Sequence, residues 1–185
     1  MEELTKRISK TLTKKEVLKI TSELIKNNVS VNDLINLTFS NDKETGFRAS
    51  WILEQIAFSH QSMFLPSLPY FFSRFKEVQN ESCKRHYAKI AQEYTRHLSG
   101  NKYDQRIRTM LEAMDFEHII ETLFEWLINN KTRTAVIAFS MEALYNLSSR
   151  YDWIKEELSS QIIFLMKNGS AGIHSRGKKL LNKLL

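Results

Sequence analysis

An all-α fold of stacked helical hairpins is what this sequence predicts, and three observations predict it. Gly (five) and Pro (two) are scarce, whereas strand-rich folds need many turn residues. Apolar residues recur at helical spacing in one segment after another. The run Phe47 to Val78 reads as two helices laid back to back, with Ala49, Ile52, Leu53 and Ile56 on the first and Leu65, Leu68, Phe72 and Phe75 on the second. Such a pair cannot bury its own apolar surface, so similar pairs must flank it.

Composition narrows the function classes. The 185 residues fit a single helical-repeat domain, long enough to bury a core without staples. The lone Cys83 excludes an internal disulfide and fits a reducing compartment. No apolar signal region opens the chain, and no stretch approaches ~20 uninterrupted apolar residues, so no membrane association and a cytoplasmic location are expected. The net charge of +6 resides at the ends. Residues 1–30 carry +3, residues 167–185 carry +5, and the middle carries −2. A nucleic-acid track along the centre is therefore unsupported.

The elements follow in order. Thr13-Lys14-Lys15-Glu16 has capping-box form and opens a helix to about Asn27, burying Val17, Ile20, Leu24 and Leu18. Ser30 caps a short helix through Leu34, Ile35, Leu37 and Phe39. Asn41-Asp42 and Gly46 then punctuate the chain. The break in the central pair falls near Ser59–Ser62, because Pro66 and Pro69 belong near the start of its second helix, where a missing amide costs nothing. A long helix from about Asn80 to Leu98 places Tyr87, Ile90, Ala91, Tyr94 and Leu98 on one face and stops at Ser99-Gly100-Asn101. Asp104 caps a shorter helix through Ile107, Met110, Leu111 and Met114. Asp115 caps the next, and Ala135 to Leu147 is so apolar that it belongs in the centre of a stack. Asp152 opens a helix through Ile154, Leu158, Ile162 and Leu165, Gly169 stops it, and a last helix runs from about Ser170 to the end.

The segment Trp51–Ile56 aligns with Phe139–Leu144 at an offset of 88 and with Lys179–Leu184 at 128. A fainter copy at 37 carries Arg48 to Arg85 and Leu53 to Ile90. The steps of 37, 51 and 40 are regular apart from the long one, which contains an insertion near residues 99–113. With Arg48, Ala49, Trp51, Leu53 and Ile56 followed by Leu65, Pro66 and Leu68, the pattern resembles the HEAT and armadillo superfamily. The resemblance implies a right-handed α-solenoid of about four HEAT-like hairpins over 47–185, with residues 1–46 as N-terminal capping helices. It implies an architecture and no particular chemistry.

Candidate chemistry is sparse. Cys83 with His86, and Glu93 with His97, lie at metal-ligand spacing on one helix, but a flank meeting a neighbour explains both pairs, and no cofactor or metal is expected. The lyase superfamily that includes fumarase carries a Gly-Ser-Ser-x-Met-Pro-x-Lys-x-Asn loop; Gly169-Ser170-Ala171-Gly172 does not match it, and no catalytic residues are assigned. Glu117, Glu121 and Glu125 form an i, i+4, i+8 ridge whose mutual repulsion Arg106, Arg108 or Arg133 is expected to offset. A scaffold for a protein or peptide, with a groove lined by the second helix of each pair, is the leading function. Its candidate contacts are Tyr70, Arg74, Glu117, Glu121, Glu125 and Lys155, with Phe71 a further aromatic anchor. The alternative is a nucleic-acid binder, related to helical-repeat repair proteins, that uses Lys167, Arg176, Lys178, Lys179 and Lys183 on phosphate.

Overall fold

The computed structural model describes residues 2–100 and 102–184. Asn101 in the expected helix stop, and Leu185 at the end of the last helix, lie outside the described residues. Within them every regular element is helical. The elements are α1 (Glu2–Ile8), α2 (Lys14–Lys26), α3 (Val31–Leu37), α4 (Lys43–Ser59), α5 (Gln61–Phe64), α6 (Leu68–Ser73), α7 (Glu81–Ser99), α8 (Gln105–Glu112), α9 (Glu117–Ile128), α10 (Thr134–Leu147), α11 (Trp153–Lys167) and α12 (Ala171–Leu184). Short 3-10 turns follow α5 and α6. No helix among the described residues is long and apolar enough to cross a membrane. The chain divides into two compact units, residues 1–90 and 91–185.

In the first unit α4 is the central helix, packed against α1, α2 and α3. Local chemistry sets the neighbouring helix starts. Thr13 and Glu16 close the capping box reciprocally, and Ser30 accepts from the Asp33 amide. Leu18 departs from expectation, being 44% exposed, because it sits across α2 from Val17, Ile20 and Leu24. Helix α1 has no counterpart among the sequence-predicted helices, although Glu2 and Glu3 stand in its first turn, Lys6 and Arg7 in its last, and Leu4 and Ile8 are its buried pair. It is tied down by Arg48, whose Nη1 donates to the Ile8 and Ser9 carbonyls at 3.0 and 3.1 Å, satisfying acceptors that a helix end leaves open.

Gly46 corrects the sequence reading. It does not punctuate the chain; α4 starts at Lys43, with Asp42 accepting from the Glu44 and Thr45 amides, and runs through Gly46. The glycine is there because α3 comes close: a Cβ at position 46 would meet the Thr38 carbonyl oxygen at 2.7 Å. Alanine would gain about 1 kcal/mol of helix propensity. Overpacking against backbone costs about 1–3 kcal/mol. Gly46→Ala is therefore expected to lower the urea midpoint; an unchanged or raised midpoint would show that α3 yields freely.

The break between the central helices falls at His60, inside the expected window. The second helix begins at Gln61, however, so Pro66 and Pro69 lie inside it. Each removes an amide donor, and the segment splits into α5, a 3-10 turn, α6 and another 3-10 turn. The split turns Phe64, Leu68, Phe71, Phe72 and Phe75 all inward, each fully buried.

In the second unit α10 is central, packed against α9, α11 and α12, and α11 also packs on α12. Asp104 caps α8 through the Arg106 and Ile107 amides. Asp152 opens α11 without a side-chain cap; its carboxylate takes Lys155 instead, at 2.9 Å. The buried Asn146 of α10 donates to the Gln92 carbonyl at 3.1 Å and to Thr95 Oγ1 at 3.2 Å, and accepts from Ser99 Oγ at 2.8 Å. It thereby pins α10 to the C-terminal half of α7.

Candidate functional site

The candidate contacts divide between the two units, and each group has its own chemistry. In the first unit the structure brings Tyr70 and Arg74 together, one turn apart at the end of α6. Arg74 Nη1 donates to Tyr70 Oη at 2.7 Å and to Asn36 Oδ1 at 2.8 Å, while Tyr70 Oη donates to the same Asn36 oxygen at 2.5 Å. Arg74 Nε and Nη2 grip the Glu77 carboxylate at 2.5 and 2.7 Å. This forked pair raises the guanidinium above its ordinary range and holds the Glu77 carboxyl below the carboxylate range. The guanidinium also lies over the Phe39 ring, 4.4 Å from its centroid. Arg74 thus braces α6 against α3, with its donors largely committed inside the fold.

Phe71 is no partner anchor. It is fully buried, stacked on Tyr87 at 4.7 Å between ring centroids. The Pro-induced break rotates it into the core, which helical periodicity alone does not predict.

A buried charged cluster was not legible in the sequence. Glu54 and His86 are 4% and 1% exposed. His86 Nδ1 donates to Glu54 Oε2 at 2.7 Å and Lys89 Nζ donates to Oε1 at 2.5 Å. Burial pushes the Glu54 carboxyl up, but the two hydrogen bonds outweigh it, and the group ends below its ordinary value. His86, at metal-ligand spacing from Cys83, faces Glu54 instead, while Cys83 Sγ lies 3.8 Å from the Thr38 carbonyl, with its thiol pushed up by burial. His97 Nδ1 accepts from the Asp104 amide at 2.9 Å, and Glu93 pairs with Arg96. Burial, then the neighbouring Arg96, lowers the His97 pKa. Among the described residues no three His, Cys, Asp or Glu side chains are grouped to hold a metal ion.

In the second unit Glu117, Glu121 and Glu125 are all exposed along α9. Two of the arginines expected to offset them are engaged elsewhere: Arg106 pairs with Asp104 and Arg108 with Glu112. Lys155 pairs with Asp152 on its own helix. Of the basic residues near the C-terminus, Lys167, Lys178 and Lys179 are exposed. Arg176 pairs with Glu142 of α10, and Lys183 lies over the Tyr145 ring at 5.0 Å. Sequence reasoning also missed a set of exposed apolar side chains: Ile128 is 65% exposed, Trp153 56%, Ile163 53% and Phe164 66%. Trp153 stacks on Phe124 of α9, with centroids 5.9 Å apart.

A family model described as the HEAT repeat domain matches residues 4–184. No curated protein and no solved structure matches the chain.

Proposed function

The chain belongs to the HEAT repeat family, and from that premise we propose that it is a cytoplasmic, non-enzymatic scaffold that binds a protein or peptide. In this reading residues 1–46 cap the repeats, which occupy 47–185 with an insertion near 99–113, and α9 offers its exposed face to the partner. The observation that carries the reading is the row Glu117, Glu121 and Glu125, three carboxylates exposed along one ridge of α9. Carboxylates spaced i, i+4, i+8 line one face of the helix, and a cationic partner complements the negative potential they create there. Tyr70 and Arg74 form a secondary contact that presents a braced aromatic edge.

The alternative, phosphate binding near the C-terminus, has the narrower support of Lys167, Lys178 and Lys179, since Arg176 and Lys183 already have partners in α10. One experiment separates the two. The tagged chain is used to capture proteins from a lysate with and without nuclease, beside the Glu117→Lys/Glu121→Lys/Glu125→Lys variant. Capture is expected to survive nuclease and to fall at least ~10-fold in the variant. Capture that nuclease abolishes, together with salt-sensitive mobility shifts of bare nucleic acid by the chain, would transfer the function to the phosphate reading.

A further inference from the structure

We infer that the exposed faces of α9 and α11 form one docking surface, whose occupant is a basic amphipathic helix of another protein. The inference deepens the scaffold reading and rests on it. On α9, Glu117, Glu121, Phe124, Glu125 and Ile128 stand at i, i+4, i+7, i+8 and i+11, which puts them on one face. On α11, Trp153 and Phe164 are eleven residues apart, about three turns, so they too share a face, with Glu157 one turn after Trp153. The stacked rings of Phe124 and Trp153 join the two faces into one surface.

The chemistry of that surface names its occupant. The Phe124–Trp153 stack is the apolar seam between the helices, with Ile128 one turn beyond Phe124 on α9 and Phe164 about three turns beyond Trp153 on α11. Glu117, Glu121, Glu125 and Glu157 supply carboxylates on the same faces. Exposed aromatic and aliphatic side chains gathered in this way mark interaction sites, and Trp is prominent among residues that dominate binding. A helix with an apolar stripe and lysines or arginines beside it satisfies seam and carboxylates together. A second copy of this chain is a poor fit. Its basic helix α12 buries Ile173 and Leu180, and Leu18 is the one large apolar side chain that α2 exposes. Neither helix offers an apolar stripe.

The test uses the purified full chain and a synthetic Leu/Lys amphipathic peptide of about 18 residues, followed by titration calorimetry. Controls are a scrambled peptide of the same composition and a Leu/Glu counterpart. One saturable site is expected, with binding at least ~10-fold weaker for the scrambled peptide and absent for the acidic one. Glu121→Lys/Glu125→Lys and Trp153→Ala/Phe164→Ser are each expected to weaken binding by at least ~10-fold. These side chains are exposed, so the far-UV circular dichroism should be retained. Equal affinity for the scrambled peptide, or either variant binding as tightly as the parent, overturns the inference. So does self-association in sedimentation that Trp153→Ala/Phe164→Ser abolishes. Lysate partners that survive this last variant would leave the scaffold reading standing while removing the amphipathic-helix surface.

Discussion

Glu54→Ala is expected to destabilise the first unit by about 3–5 kcal/mol, because removing one member of the buried Glu54–His86 pair strands the other. His86 Nδ1 and Lys89 Nζ both direct hydrogens at the Glu54 carboxylate. His86 Nε2, on the far side of the ring, is buried and has no hydrogen-bond partner. With the carboxylate gone, neither ring nitrogen would have a partner inside the protein. Glu54→Gln keeps the volume and one acceptor for Lys89, and its loss should be smaller. The acid limb carries a second signature. The folded carboxyl sits below its ordinary value, so its contribution is fully present above the unfolded value near ~4.3 and is lost as pH falls through the lower folded value. Urea midpoints measured at neutral and acid pH should therefore converge for parent and variant as the pH drops. Parallel curves, or a loss under ~1 kcal/mol at neutral pH, would mean that the cluster is solvated and contributes as a surface pair does.

A loss of similar size, about 3–5 kcal/mol, is expected for Phe71→Ala. The ring is fully buried among Phe64, Phe72, Phe75 and Tyr87, with centroids 5.6, 5.3, 6.0 and 4.7 Å away. Truncation removes the stacked and edge contacts and leaves a cavity that four rigid neighbours cannot fill. Tyr87 above it is held in turn by Thr38, with hydroxyls 2.7 Å apart, so the cavity borders a second constraint. Tyr70, next in the chain, is half-buried and polar at its tip. Tyr70→Ala should cost less than half as much as Phe71→Ala in denaturant unfolding. Reversal of that order would place Phe71 at the surface and Tyr70 in the core.

Local signals were readable wherever the physics is local. The Thr13/Glu16 capping box, the Ser30 cap and the Asp104 cap each involve groups within three residues, and all three form. Periodicity placed Tyr87, Ile90, Ala91, Tyr94 and Leu98 on one buried face of α7. The same logic failed where a neighbour decides. Asp152 has the chemistry of a cap, yet Lys155 takes its carboxylate. Gly46 has the chemistry of a stop, yet it is the point where α3 approaches α4.

By itself the sequence determined that the chain is helical, where most helices begin, and that it belongs among HEAT repeats. The first two follow from hydrogen bonds and apolar spacing inside single segments, and the third from the likeness of segments offset by 37, 88 and 128 residues. Only the tertiary structure decided which charges are buried, that Phe71 faces inward, and that Trp153 and Phe164 face out. Glu54 meets His86 across 32 residues and Arg74 meets Asn36 across 38. At such separations the pairing is set by how helices pack, and side-chain identity along one helix carries no record of what the next helix brings against it.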